Sequence, residues 1–169
     1  MTPAEPAQLS PALSFLPKPI REPRRPWLAI LVGWLTATVP SLALAAIVSR
    51  ILPQLPGPKF DMDPATAIIA IVIISPFLET LIMAAVLSVL LRFLPTTAAI
   101  LASAAGWGLA HSAMAPAWGL VIWWPFLVFS TLFVVWRQRS LAAAIAIPAT
   151  VHALQNLGPA LLIATGQAA

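Results

Sequence analysis

Residues 64–92 read PATAIIAIVIISPFLETLIMAAVLSVLLR, an apolar run long enough to cross a bilayer as a helix. One ionisable side chain, Glu79, interrupts it before Arg92 closes it. A carboxyl inside such a run is costly to bury, so it tends to be kept for pairing, transport or chemistry. Two further runs carry groups of the same kind. His111 and His152 are the two histidines of the chain, and Asn156, its single asparagine, follows His152 by one helical turn. Three hydrophobic segments with buried polar groups point to a site assembled inside the membrane.

The composition agrees. Of the 169 residues, 60% are hydrophobic and 8% charged, and the mean hydropathy is +0.95. A soluble domain of this size cannot hide so much apolar surface. The expected fold class is all-α, a polytopic helical membrane bundle of about five transmembrane helices behind a disordered N-terminal tail. The absence of cysteine excludes disulfides, thiolate chemistry and cysteine-based zinc sites. The net charge of +4 is no sign of nucleic acid, because the basic residues lie between hydrophobic runs, where they set topology.

Residues 1–26 hold seven prolines and few large apolar side chains. Proline denies such a segment helical hydrogen bonds, so a disordered cytoplasmic tail is expected there, followed by a bundle over 27–169. Spans are expected at about 27–48, 64–91, 97–114, 117–136 and from 141 onward, with Gly158–Pro159 kinking or ending the last. Asp63 and Pro64 read as a cap and first turn for the second span. In the third, Ala102, Gly106 and Ala110 form a small-residue stripe suited to close helix approach. Lys18, Arg21, Arg24, Arg25, Arg92, Arg137 and Arg139 fall at one end of a five-span chain, and Arg50 and Lys59 at the other. This bias predicts a cytoplasmic N-terminus and an external C-terminus in a bacterial cytoplasmic membrane.

Depth follows from the helical rise. Glu79 lies ~18 Å from the basic end, His111 ~21 Å and His152 ~17 Å, one level within the error of span boundaries. Pro76 has no N–H to return to the carbonyl of Val72, and Pro148 none for that of Ala144, which leaves acceptors free beside Glu79 and His152. His152 and Asn156 share a helix face. Trp107 shares one with His111 and is placed to wall a cavity. Trp123, Trp124 and Trp136 read as bulk or interfacial anchors, and Gln155 as structural. Ser75, Thr80, Ser130 and Thr131 satisfy their own helices and receive no catalytic role.

At these residues the chain resembles the CAAX-protease and bacteriocin-processing family of intramembrane proteases, also called the abortive-infection family. That family carries Glu-Glu-x-x-x-Arg, Phe-x-x-x-His and His-x-x-x-Asn on separate membrane helices. Here the first reads Glu79-Thr80-Leu81-Ile82-Met83-Ala84, with Thr80 and Ala84 for the second glutamate and the arginine. The second reads Trp107-Gly108-Leu109-Ala110-His111, with tryptophan for phenylalanine, and the third is intact as His152-Ala153-Leu154-Gln155-Asn156. The family-like core spans about residues 64–157.

The resemblance implies an intramembrane endopeptidase whose catalytic residues are Glu79, His111, His152 and Asn156. Glu79 is then the general base on a water, helped by His111, and His152 and Asn156 donate hydrogen bonds to the oxyanion. No cofactor is expected; the metal alternative is zinc on Glu79, His111 and His152. The expected partners are the lipid bilayer and a membrane-associated or prenylated peptide or protein substrate. Other readings of the same residues are an inactive scaffold, a proton-coupled transport subunit, and a bis-histidine haem site.

Overall fold

The computed structural model describes residues 9–58 and 62–166, and among these the chain is helical and without strands. After a 3-10 turn at Pro11–Leu13 come α1 (Lys18–Arg21), α2 (Pro26–Ile51) and α3 (Pro64–Ile68). A π-helical segment (Ile69–Ile74) joins α3 to α4 (Ser75–Leu90). Then follow α5 (Thr96–Met114), α6 (Pro116–Trp136) and α7 (Leu141–Ala164). The all-α polytopic bundle expected from the sequence is the observed fold.

Four stretches, Pro26–Ile51, Pro64–Leu90, Pro116–Trp136 and Leu141–Ala164, are long and apolar enough to cross a membrane. The chain is a multi-pass membrane protein. The third expected span, about 97–114, is present as the 19-residue α5, but it is not among the four. Its glycines, serines, threonines and His111 dilute its apolar content, so it packs in the bundle without being a strongly apolar span. Leu31, Leu35 and Val39 of α2, Ile73 of the π-helical segment, and Phe77 and Ile82 of α4 expose apolar side chains, an arrangement that suits lipid.

The bundle is built around α6. From Pro125 to Trp136 every residue of this helix is buried. Hydrogen bonds tie it to its neighbours: Ser130 Oγ donates to Ser103 Oγ of α5 at 3.0 Å, and Trp124 Nε1 to the Thr36 carbonyl of α2 at 2.8 Å. Trp124 is thus a cross-link between helices, and Trp136 is buried bulk, 5% exposed. Thr38 Oγ1 donates to Gln155 Oε1 at 2.6 Å and joins α2 to α7; Gln155, expected to be structural, also lines the cavity described below. Pro159 does not end α7, which continues to Ala164.

The close approach of α5 and α6 occurs at Gly108 and Gly119. A Cβ at Gly119 would collide with the Gly108 carbonyl oxygen and Ser112 Oγ, and one at Gly108 would lie 3.0 Å from the Trp123 Cβ. The stripe of Ala102, Gly106 and Ala110 does not make this contact: all three are exposed, and a Cβ at Gly106 meets nothing within 4 Å. Four-residue spacing was present on two faces of α5, and the face with Ala104, Gly108 and Ser112 is the one turned inward.

The expected disordered tail over 1–26 is corrected from Leu9 onward; residues 1–8 lie outside the described residues. Leu13, Leu16 and Ile20 are almost fully buried in the bundle core. Arg21 Nε donates to the Leu16 carbonyl at 2.6 Å, the Ser10 N–H to Thr97 Oγ1 at 3.3 Å, and Arg139 Nε to the Pro23 carbonyl at 2.9 Å. The prolines limit helix here, but three apolar anchors within eight residues still order the segment as a strap across α6. Asp63, expected as a cap, accepts the Thr66 N–H at 3.0 Å. Hydrogen bonds from the Thr66 hydroxyl and N–H hold its carboxyl below the ordinary value. This cap therefore supports the helix at neutral pH and fades as pH falls through that lowered value.

Overpacking of a tight contact typically costs about 1–3 kcal/mol. Gly119→Ala is expected to lower the melting temperature in detergent, whereas Gly106→Ala is expected to leave it unchanged or raise it through better helix propensity. Thermal unfolding of the two purified variants checks the assignment of the inward face.

Candidate active site

Glu79 stands one turn into α4, and Ser75, four residues earlier on the same face, donates its hydroxyl to Glu79 Oε1. The other carboxyl oxygen, Oε2, is buried and has no hydrogen-bond partner among the described residues. It faces two imidazoles. His111 Nε2 of α5 lies 3.9 Å away and His152 Nε2 of α7 lies 4.0 Å away. These separations are too long for direct hydrogen bonds. A water about 2.8 Å from both atoms would bridge an oxygen and a nitrogen so spaced from one side.

The tautomer of His111 follows from its other nitrogen. Nδ1 lies 2.8 Å from the Trp107 carbonyl oxygen. A carbonyl accepts and never donates, so Nδ1 carries the hydrogen and a neutral ring presents Nε2 as an acceptor. His152 differs: its Nδ1 is buried without a partner among the described residues. The two histidines are therefore not equivalent, although the sequence shows them alike.

Aromatic rings hold both imidazoles. His111 meets Trp118 edge-on with centroids 4.7 Å apart, and His152 stacks on Phe129 at 4.7 Å. Phe126 touches both, at 5.7 Å from His111 and 5.4 Å from His152. Trp107, expected to wall the cavity, lies behind His111 instead. Its carbonyl fixes Nδ1 and its ring stacks on Phe126 at 4.3 Å. Trp118, Phe126, Phe129 and Ser75 are the site residues that sequence reasoning did not select. For Ser75 the signal was the four-residue spacing to Glu79. For the α6 aromatics there was none, because that helix is apolar all round.

Asn156 Nδ2 donates to the Ile71 carbonyl at 3.0 Å. The expected free carbonyl was that of Val72, four residues before Pro76. The π-helical register moves it. Ser75 N–H returns to the Ala70 carbonyl, five residues back. In the same register the missing N–H of Pro76 would have met Ile71. The orphan is one residue earlier than α-helical counting placed it, and Asn156 satisfies it.

All four residues selected from the sequence line one cavity of about 370 Å³. Its walls are mainly apolar, with Leu42, Val121, Ile122 and Pro125 among them, and Glu79 is the sole Asp, Glu, Lys or Arg among the described lining residues. Neither Thr80 nor Ala84 lines it. Among the described residues no group of three or more His, Cys, Asp or Glu is arranged to hold a metal ion.

An acid facing two imidazoles inside an apolar bundle marks the class: a multi-pass membrane protein with a mainly apolar cavity that holds one carboxyl group and two imidazoles in its wall. The family model described as type II CAAX prenyl endopeptidase Rce1-like matches residues 61–158, more than half of the chain, and takes in Glu79, His111, His152 and Asn156. The chain belongs to this family of proteases. No curated protein and no solved structure matches it.

Asn156→Leu strips the Ile71 carbonyl of its donor, and an unsatisfied buried acceptor costs about 1–3 kcal/mol. The variant is expected to melt at lower temperature than the parent. Adding Pro76→Ala, which restores an N–H in the π-helical register, is expected to recover part of the loss. A double-mutant cycle on thermal unfolding measures that coupling.

Proposed function

We propose that this chain is an intramembrane endopeptidase that cleaves a membrane-associated peptide or protein with a water activated by Glu79. The observation that carries the reading is the unpartnered Glu79 Oε2, 3.9 and 4.0 Å from two imidazole nitrogens at the wall of a cavity of about 370 Å³. Family membership supports the reaction type.

The roles divide by hydrogen-bond chemistry. Water sits between Glu79 Oε2 and His111 Nε2, both acceptors, which together turn its lone pair toward a substrate carbonyl. As the oxygen bonds to the carbonyl carbon, its proton passes to Oε2. Ser75 holds Oε1 and so fixes the carboxyl plane. His152, in the tautomer with hydrogen on Nε2, donates to the developing oxyanion. The second Nδ2 hydrogen of Asn156 is a further donor, and its first is tied to Ile71. When the tetrahedral intermediate collapses, the C–N bond breaks and the proton on Glu79 moves to the leaving amine. Each lost oxyanion donor typically costs about 2.7–4 kcal/mol of transition-state stabilisation.

A zinc-bound version would spend Glu79 as a ligand, and among the described residues no other acid lines the cavity to serve as base. The metal-free route therefore uses the side chains more completely. The altered first motif is compatible with activity, because Thr80 and Ala84 stand outside the cavity wall. By the charge bias of its loops the chain would sit with its N-terminus in the cytoplasm, in a bacterial cytoplasmic membrane.

Glu79→Gln is expected to reduce cleavage by a factor of about 10²–10⁴ with little change in folding. Comparative proteomics of membrane peptides from cells carrying the parent or the variant reads this directly; equal peptide profiles reject the proposal. Cleavage by the purified protein is expected to survive chelation, and loss of activity that zinc restores would favour the metal version.

A further inference from the structure

A peptide drawn into an apolar cavity leaves its water behind, and each of its backbone carbonyls then needs a donor from the wall. Most polar side chains that α2, α4 and α7 place in this wall already serve the protein. On α2, Ser41 Oγ donates to the Ala37 carbonyl at 2.7 Å and Ser49 Oγ to the Ala45 carbonyl at 2.8 Å. On α4, Ser75 is committed to Glu79. On α7, His152 faces Glu79, and Asn156 has one of its two amide hydrogens on the Ile71 carbonyl.

Gln155 differs. Its Oε1 accepts the Thr38 hydroxyl of α2 at 2.6 Å, so the carbonyl end of the amide is the end that α2 holds. Nε2 carries two N–H groups. They make no hydrogen bond among the described residues, and Nε2 is not sealed in: the buried side-chain atoms without a partner belong to Glu79, Thr80, Trp136 and His152. Because Gln155 lines the cavity, its donors are open to an occupant. Its position is as pertinent as its valence. Gln155 follows His152 by three residues, about 4.5 Å along α7, and Gln155 and Asn156 flank the direction of His152 on either side. An extended peptide repeats its carbonyls on one side every two residues, about 6.6 Å apart. The flexible stem of a glutamine covers the difference.

We infer that Gln155 is a substrate-positioning donor: Nε2 hydrogen-bonds a backbone carbonyl of the bound peptide, one extended repeat from the scissile carbonyl at His152, while Thr38 holds the amide in that orientation. The inference rests on the endopeptidase reading. A main-chain contact of this kind accepts any apolar side chain at the residue it grips; what it demands is an extended backbone. The two neighbouring carboxamides of α7 thus divide their work. Asn156 ties the helix to the segment before Glu79, and Gln155 ties the substrate to the helix.

The test gives the full chain, in lipid nanodiscs, a fluorescently labelled and uncharged peptide of leucine and alanine as probe. Binding is read by anisotropy in the Glu79→Gln background, where no turnover intervenes. KM and kcat are read from cleavage of the same peptide with Glu79 in place. Gln155→Met and Thr38→Val both lose the bond between α2 and α7, so both are expected to melt at lower temperature. Only Gln155→Met loses the donors. It is expected to weaken probe binding and raise KM about ten-fold with kcat within about two-fold, because a contact kept from ground state to transition state acts on KM. Thr38→Val keeps both N–H groups and is expected to shift the same quantities by less than about three-fold. Equal shifts in the two variants overturn the inference, as does no shift in Gln155→Met or failure of the probe to bind the Glu79→Gln chain. Cleavage that depends on Glu79 with no shift in Gln155→Met would keep the protease and reject the donor. Binding that depends on Gln155 without cleavage would do the opposite.

Discussion

A carboxyl group in an apolar bundle is the constraint on which the rest of this structure depends. Lipid offers Glu79 no solvation, so each of its oxygens must be answered by protein or by admitted water. Ser75 answers one from a turn away on the same helix. The other points into a gap between two imidazoles that come from two different helices. Meeting that demand sets the mutual position of α4, α5 and α7. It also requires α6 to supply Trp118, Phe126 and Phe129, which keep the imidazoles from turning away.

Proline and asparagine solve a second problem of the same kind. Pro76 takes an N–H out of the helix one turn before Glu79. The chain widens to a π-helical turn, and the orphaned Ile71 carbonyl is met from α7 by Asn156. That single bond clamps the segment preceding Glu79 to the helix that carries His152. Distortion of one helix thus becomes the register pin between two, and it sets the relative height of acid and imidazole. Asn156 is in this sense a positioning residue before it is anything else.

The helical class and the convergence of Glu79, His111, His152 and Asn156 were legible because they depend on counting. Apolar run length, residue rise and a shared depth survive errors of a few residues at each span end. What failed depended on quantities that counting cannot supply. Trp107 and His111 share a helix face, yet the ring of Trp107 points behind the site, because its backbone carbonyl is what His111 requires. The Val72 carbonyl lost its place to that of Ile71 because one π turn shifts the hydrogen-bond register by a residue. Proline content suggested disorder up to residue 26, but Leu13, Leu16 and Ile20 are buried in the bundle core, and hydrogen bonds at Ser10, Arg21 and Pro23 add to their hold on the strap. In α5 two faces had small residues at helical spacing, and the choice between them was made by α6. The aromatic holders on α6 had no pattern to reveal them, since a helix buried on every side has no polar face for contrast.

The altered first motif gains meaning from the same geometry. Positions 80 and 84 are one turn apart on a face directed into the packed half of the bundle, away from the cavity. Thr80 is 1% exposed with its hydroxyl unpartnered among the described residues, and Ala84 is 7% exposed within the core cluster. The resemblance places a glutamate and an arginine at these two positions, where four-residue spacing would let them pair. Removing one member of a buried pair leaves an uncompensated charge, which costs about 3–5 kcal/mol, whereas replacing both by neutral packing is often neutral or stabilising. This chain has replaced both. The exchange removes a buried pair as a unit, from a region whose task is packing, and leaves the acid, the imidazoles and the carboxamide around the cavity in place.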